Sequence, residues 1–314
     1  MIKKSALALS VAMVASPAWA QWPEKSIELI VAYAAGGGTD VTARVLQPML
    51  ERELGQSVVV VNRPGAGGEA GHAALSSAKP DGYTLGILNL PPMLTIPITR
   101  DAAFGPGDIM PVAGLVEDPS ALSVPASSPF QTLEDLIEFA RENPGAVTIG
   151  TTGVGTDDHL AMNYLAKAAD ITLTHVPFAG AGPARTALVG GHVSAAAINL
   201  GEAMPSAEEG QVRILAQFGS DVSELAPDVP TVESLGYDVQ MISSRGVGLP
   251  AGVDPAIVER LSEALANIAN DEAFIARNHE LYTEVNYMST QDFTQYIEGL
   301  QADYQTMWDE SPWQ

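Results

Sequence analysis

The 314-residue chain has no cysteine. This excludes disulfides, thiolate metal sites and a lipid-modified cysteine anchor. Positive charge is also scarce: 15 Lys and Arg stand against 38 Asp and Glu, a formal net charge of −23. A surface of that sign repels phosphate, so nucleic acid is excluded as a partner. No stretch approaches the roughly 20 uninterrupted apolar residues of a membrane-spanning helix. The Gly-x-Ser-x-Gly elbow of α/β hydrolases is missing, which argues against a hydrolase on an α/β scaffold. No P-loop lysine follows the glycines at Gly36–Gly38, and His279-Glu280 lacks the second histidine of a zinc protease. His72, His175 and His192 show no metal-ligand spacing, and the neighbouring Asp157, Asp158 and His159 would point apart on a helix.

What is present begins with a leader. Lys3 and Lys4 precede an apolar run, and Ala18-Trp-Ala20 has the A-x-A form of a cleavage site. Met1–Ala20 therefore reads as a secretory signal peptide, with Gln21 the first mature residue. Its removal takes two lysines and moves the formal charge from −23 to −25. The expected product is a soluble periplasmic protein with no direct membrane anchor. If its ligand is an anion, the site must be locally positive against the global field, as helix N-termini can be.

The mature chain alternates strand and helix patterns. The first strand is Ile27–Val31. The spacing then predicts a helix capped by Thr39 or Asp40 and running to Leu54, with Pro48 as a kink and Gly55 as its stop. Ser57–Val61 and Tyr83–Leu88 read as the next strands, with a short helix over Glu69–Ala78 between them. The pattern resumes further on. A capping box at Thr132–Asp135 opens one helix, and Asp254 with Pro255 opens another. Ser289–Asp292 starts the last. Two α/β units thus lie in series, each with a glycine-rich turn aimed at a helix start. In such sheets ligands bind beyond the C-terminal strand ends, and two facing units close by a hinge.

Gly65-Ala-Gly-Gly-Glu-Ala-Gly71 is spaced G-x-G-x-x-x-G, and Asn89 stands where a dinucleotide site needs an acid, so it reads as a structural loop. Carboxylate capture fits better. Gly36–Asp40 and Gly153–Thr156 each offer backbone N–H groups at a helix start, and Thr39 and Thr156 add hydroxyls. Asp40 reads as a cap and not a ligand contact. His159 is either a donor in a polar cleft or a packed histidine. Arg245 either pairs with a distal carboxylate or forms a structural salt bridge.

Several motifs together carry a family resemblance over nearly all of the mature chain. They include Trp22-Pro-Glu-Lys25, Ala34-Ala-Gly-Gly-Gly-Thr-Asp40, Leu54–Gly68 and Lys79-Pro-Asp-Gly-Tyr-Thr-Leu85. Further on come Gly153–Leu160, His175–Gly180, Ala226–Thr231 and Pro250-Ala-Gly252. The chain resembles the periplasmic receptors of tripartite tricarboxylate transporters, the Bug family of solute receptors. The resemblance implies an α/β, two-domain, Venus-flytrap binding protein of type II-like form, with the ligand cleft between two α/β domains. The expected division is residues 21–122 with 245–314 as one domain and 123–244 as the other.

It also implies a site. The first loop would contribute Tyr33, Ala35, Gly36, Gly37, Gly38 and Thr39. The second would contribute Thr152, Thr156 and His159, and the following turn Phe178, Ala179 and Gly180. Asn89 and Asn199 would lie at strand ends in the same cleft, and the reading of the residues themselves adds Arg245 at its distal side. Asn199 stands where many relatives carry an acid, and Ser244-Arg-Gly246 where many carry Trp-Tyr-Gly. The implied function is capture of a small organic carboxylate, a di- or tricarboxylate, for a two-subunit inner-membrane permease. A ligand-sensing receptor that feeds a membrane signalling partner is the other reading. The resemblance implies a monomer, no cofactor, no metal and no enzymatic activity.

Overall fold

The computed structural model describes Trp22–Trp313; the expected signal peptide lies outside the described residues. The first half opens with β1 (Ile27–Val31), α1 (Gly38–Leu54), β2 (Val58–Asn62), α2 (Glu69–Ser76), β3 (Thr84–Leu90) and α3 (Pro92–Thr99). β1 lies between β2 and β3 with all three parallel, as short β-branched runs joined by helices dictate. Gly71 lets α2 lie directly on β1, because a Cβ there would overlap Ala32.

β4 (Ile109–Pro125) then leads into α4 (Leu133–Glu142), β5 (Thr148–Thr151), α5 (Asp157–Ala169), β6 (Thr174–Pro177), α6 (Ala181–Val189), β7 (Ala195–Asn199), α7 (Leu200–Glu208) and β8 (Val212–Gln217). The chain closes with β9 (Ile242–Pro250), α8 (Pro255–Ala269), α9 (Glu272–His279), β10 (Glu284–Met288) and α10 (Thr290–Glu310). The strand order is β2-β1-β3-β9-β4-β7-β5-β6, and β8 and β10 also pair with β4. β4 is the shared element. Its Ile109–Pro119 segment runs antiparallel to β9, whereas Ser120–Pro125 pairs with β7 and β8.

Of the two large apolar clusters, one lies around α1 and α8, and the other runs from Leu75 and Leu88 to the helices after β4. Leu46 and Leu50 of α1 pack with Leu261 and Leu265 of α8 against β1, β3 and β9. Each such leucine contributes about 1.5–3 kcal/mol by leaving water. Leu133, Leu136 and Ile137 of α4 pack with Leu160 and Leu165 of α5 in the other half.

Most expected elements are present, with informative differences. The N-cap of α1 is Gly37, in extended conformation, and not Thr39 or Asp40. Asp40 sits one turn inside and accepts the Gly36 N–H at 2.9 Å, which does a cap's work from the third helical position. α1 continues through Pro48. β4, at 17 residues, is the longest of the strands described. α3, whose sequence Pro-Met-Leu-Thr-Ile-Pro-Ile-Thr carries two prolines, is helical all the same.

Candidate functional site

The C-terminal ends of β1, β3 and β7 meet beside the start of α1. A cavity of about 20 Å³ lies there, lined by Tyr33, Gly37, Gly38, Thr39, Asn89, Thr152, Asp157, Ala181, Asn199, Glu202, Ser243 and Arg245. That volume holds about one water molecule. Contacts from both halves close it. Gly38 N–H donates to Glu202 Oε1 at 2.5 Å, Ala34 N–H to the Ala179 carbonyl at 3.4 Å, and Thr95 Oγ1 to the Gly155 carbonyl at 2.5 Å.

The first glycine loop presents a backbone donor to a carboxylate of the protein. The first turn of a helix leaves N–H groups without helical acceptors. Here the first helical bond is Val41 N–H to the Gly37 carbonyl, and the N–H of Gly38 points at a carboxylate. Gly36 has φ of 84°, a left-handed conformation that favours glycine and turns the chain from β1 into α1. Asp40 takes no part in the cavity. It accepts from Gly36 N–H, Arg44 and Asn62, each at 2.9 Å. Burial pushes its carboxyl up, but those hydrogen bonds outweigh burial and hold it below the usual range.

Four carboxylates and one guanidinium form a buried network around the cavity. Arg245 donates to Asp118 at 3.1 Å and to Asn199 Oδ1 at 2.8 Å, with Glu202 at 3.9 Å. Asn199 Nδ2 donates to Asp157 at 2.7 Å. Ser120 Oγ lies 3.1 Å from both Asp157 and Asp158. It has one proton to donate, so it serves only one of them at a time. Burial pushes the Asp118 carboxyl up to about 7 despite Arg245, with Glu202 adding to the rise. Burial raises Glu202 as well, against the pull of Arg245 and the Gly38 N–H. Asp158 is raised well above the usual carboxylate range by burial and then by Asp157 and Glu202.

Of the residues expected from sequence, Tyr33, Gly37, Gly38, Thr39, Asn89, Thr152, Asn199 and Arg245 line the cavity. Ala35, Gly36, Thr156, His159, Phe178, Ala179 and Gly180 are not in its lining. In the second glycine loop several donors are engaged within the loop itself. Gly153 N–H goes to Thr151 Oγ1 at 3.2 Å and Gly155 N–H to His159 Nδ1 at 3.2 Å. Thr156 caps α5 and donates its hydroxyl to the Gly153 carbonyl at 2.8 Å. His159 stacks on His175 with ring centroids 4.2 Å apart. Burial, then the nearby His175, lowers its pKa to about 3, so the ring is neutral.

Sequence reasoning missed Asp157, Ala181, Glu202 and Ser243. Acids in the first turns of α5 and α7 satisfy the helix dipole, so Asp157 and Glu202 carry no separate signal until the fold brings them together. Among the described residues no group of three His, Cys, Asp or Glu side chains could hold a metal ion, and no helix is long and apolar enough to cross a membrane.

The family model for the tripartite tricarboxylate transporter family receptor, TctC, matches residues 42–309. The protein BugT of Bordetella pertussis is 33% identical over 285 residues, covering 86% of this chain and 85% of BugT. Two solved structures from Rhodopseudomonas palustris superpose over almost the whole fold. One, described with adipate, has a TM-score of 0.88 at 28% identity and covers 92% of this chain and 97% of its own. The other, MatC with bound malate, has a TM-score of 0.86 at 26% identity and covers 91% of this chain and 99% of its own. The chain therefore has the α/β periplasmic binding protein fold and belongs to the TctC family of tripartite tricarboxylate transporter receptors, which bind solutes and are not enzymes.

Proposed function

We propose that this receptor captures a small organic carboxylate in the periplasm and delivers it to a two-subunit inner-membrane permease. The observation that carries the reading is the hydrogen bond from Gly38 N–H to the Glu202 carboxylate. The first turn of α1 already holds a carboxylate, and Arg245 stands beside it. The two relatives described with adipate and malate, both dicarboxylates, support a di- or tricarboxylate as the cargo. A cleaved signal peptide over Met1–Ala20 would deliver the chain to the periplasm as a monomer with no membrane anchor.

The division into residues 21–122 with 245–314 and 123–244 remains our reading of the moving parts. It is supported by the change of partners along β4 between Pro119 and Ser120. A ligand carboxylate at Gly38 must displace Glu202, so entry requires the halves to part. The ligand shifts that hinge only by the difference between its contacts in the two states.

A thermal-shift screen of residues 21–314 against carboxylates, with the matching amides as controls, tests the reading. Ligand at a hundredfold its Kd adds about 2.7 kcal/mol, which raises Tm by roughly 5–10 °C in a chain of this size. Shifts from carboxylates alone support the receptor reading. Equal shifts from the amides would remove the anion from it.

A further inference from the structure

The cavity takes a carboxylate at Gly38, yet it is lined by two acids and one cation. Arg245 is that cation, and it is already bonded to Asp118 and Asn199. Glu202 has its Oε1 on Gly38 N–H and its Oε2 on Asn199 N–H. A ligand carboxylate that takes the Gly38 N–H turns Glu202 off its donor and leaves a second negative charge beside it. Asp157, in the same lining, adds a third. Desolvated charge of one sign needs a counter-charge, and the protein has none left to offer there.

A second observation points the same way. Asn89 is buried, lines the cavity, and donates its Nδ2 to Thr39 Oγ1 at 2.9 Å. Its Oδ1 has no donor. A buried carbonyl oxygen without a partner is uncommon in folded proteins, and this one faces a site rich in acceptors and short of donors.

Resting on the receptor reading above, we infer that the ligand carries a protonated nitrogen beside its carboxylate, with Glu202 and Asp157 as its counter-ions and Asn89 Oδ1 as a further acceptor. The chemical class is an amino acid or a similar zwitterion, with or without a second carboxylate. The ligand carboxylate takes the place of the Glu202 carboxylate at α1, and the ligand ammonium then pairs with the displaced acid. Glu202 and Asp157 are thereby specificity-determining residues.

The test is isothermal titration of residues 21–314 with α-, β- and γ-amino acids, each beside its des-amino acid and its N-acetyl derivative. Supporting results are an amino acid that binds at least tenfold more tightly than both analogues, and a ratio that falls below threefold in Glu202→Gln or Asp157→Asn. Either variant suffices if the other fails to fold. Plain carboxylates that bind as tightly as the amino acids would overturn this inference and leave the receptor reading standing. No binding by any amino acid, with carboxylates still bound, has the same meaning. A chain that binds neither class overturns both.

Discussion

Glu202 Oε1 lies 2.5 Å from the amide nitrogen of Gly38, so a carboxylate from the β7–α7 corner caps the first helix of the opposite half. One bond thus links the start of α1 to the acidic network. It also leaves Gly38 little room for a side chain. A Cβ at that position would lie 2.7 Å from Glu202 Oε1 and 2.8 Å from Arg245 Nη2.

Gly38→Ala should therefore abolish ligand binding without unfolding the chain. The position is helical and lacks a left-handed φ, so alanine suits the backbone. The crowded atoms are side-chain ends, which can give. We expect affinity to fall at least tenfold while Tm moves by less than the roughly 2–4 °C that 1 kcal/mol corresponds to. Calorimetric titration beside a melting curve checks both parts. Unchanged affinity would separate the α1 terminus from the ligand.

Thr156→Ala tests the second glycine loop. The Thr156 side chain accepts from His159 N–H at 3.4 Å and donates within its own loop. Loss of this N-cap should cost about 1 kcal/mol of stability, with ligand affinity kept within threefold. A variant that binds tenfold more weakly at unchanged stability would put the hydroxyl in contact with ligand, as the sequence pattern alone implies.

Local signals in the sequence were legible where their partners are also local. Thr132, Asp254 and Ser289 each cap the helix they precede, because an N-cap bonds within three residues. The glycine turn at Gly36–Gly38 was legible for the same reason. The acidic half of the site was not. Glu202 meets Gly38 across 164 residues and Asp157 meets Asn199 across 42, and no periodicity encodes such pairs. Asn199 was expected in the cleft, but its function as a bridge from Arg245 to Asp157 emerges only from the fold. Arg245 forms the internal ion pair with Asp118 that one of its readings expected, and it also lines the cavity.

Arg245→Met should be strongly destabilising. It removes the guanidinium that faces Asp118, Glu202 and Asp157 and leaves buried acids uncompensated. Breaking such a cluster from one side costs about 3–5 kcal/mol, or roughly 6–20 °C in Tm for a chain of this size. The deficit should shrink at pH 5, where protonated carboxyls no longer need the cation. A deficit equal at pH 5 and pH 8 would mean that lost packing, and not charge, sets the cost.

Asp118→Asn isolates one proton of the network. The Asp118 carboxyl titrates near 7 in the folded chain, raised mainly by burial, against 3.8 for the unperturbed group. The folded state therefore binds the extra proton between those values. Its contribution to stability is fully present below about pH 4 and is lost as pH rises toward 7. His72 and His159 act in the opposite direction. Burial lowers them to about 4 and about 3, so their contribution is lost as pH falls below 6.5. Comparison of wild type with the variant cancels the histidines. Urea denaturation should show wild type losing about 2 kcal/mol relative to Asp118→Asn between pH 5 and pH 6.5, at about 1.4 kcal/mol per pH unit for one proton. Parallel stability curves would mean that Asp118 stays ionised, held by Arg245 through the whole range.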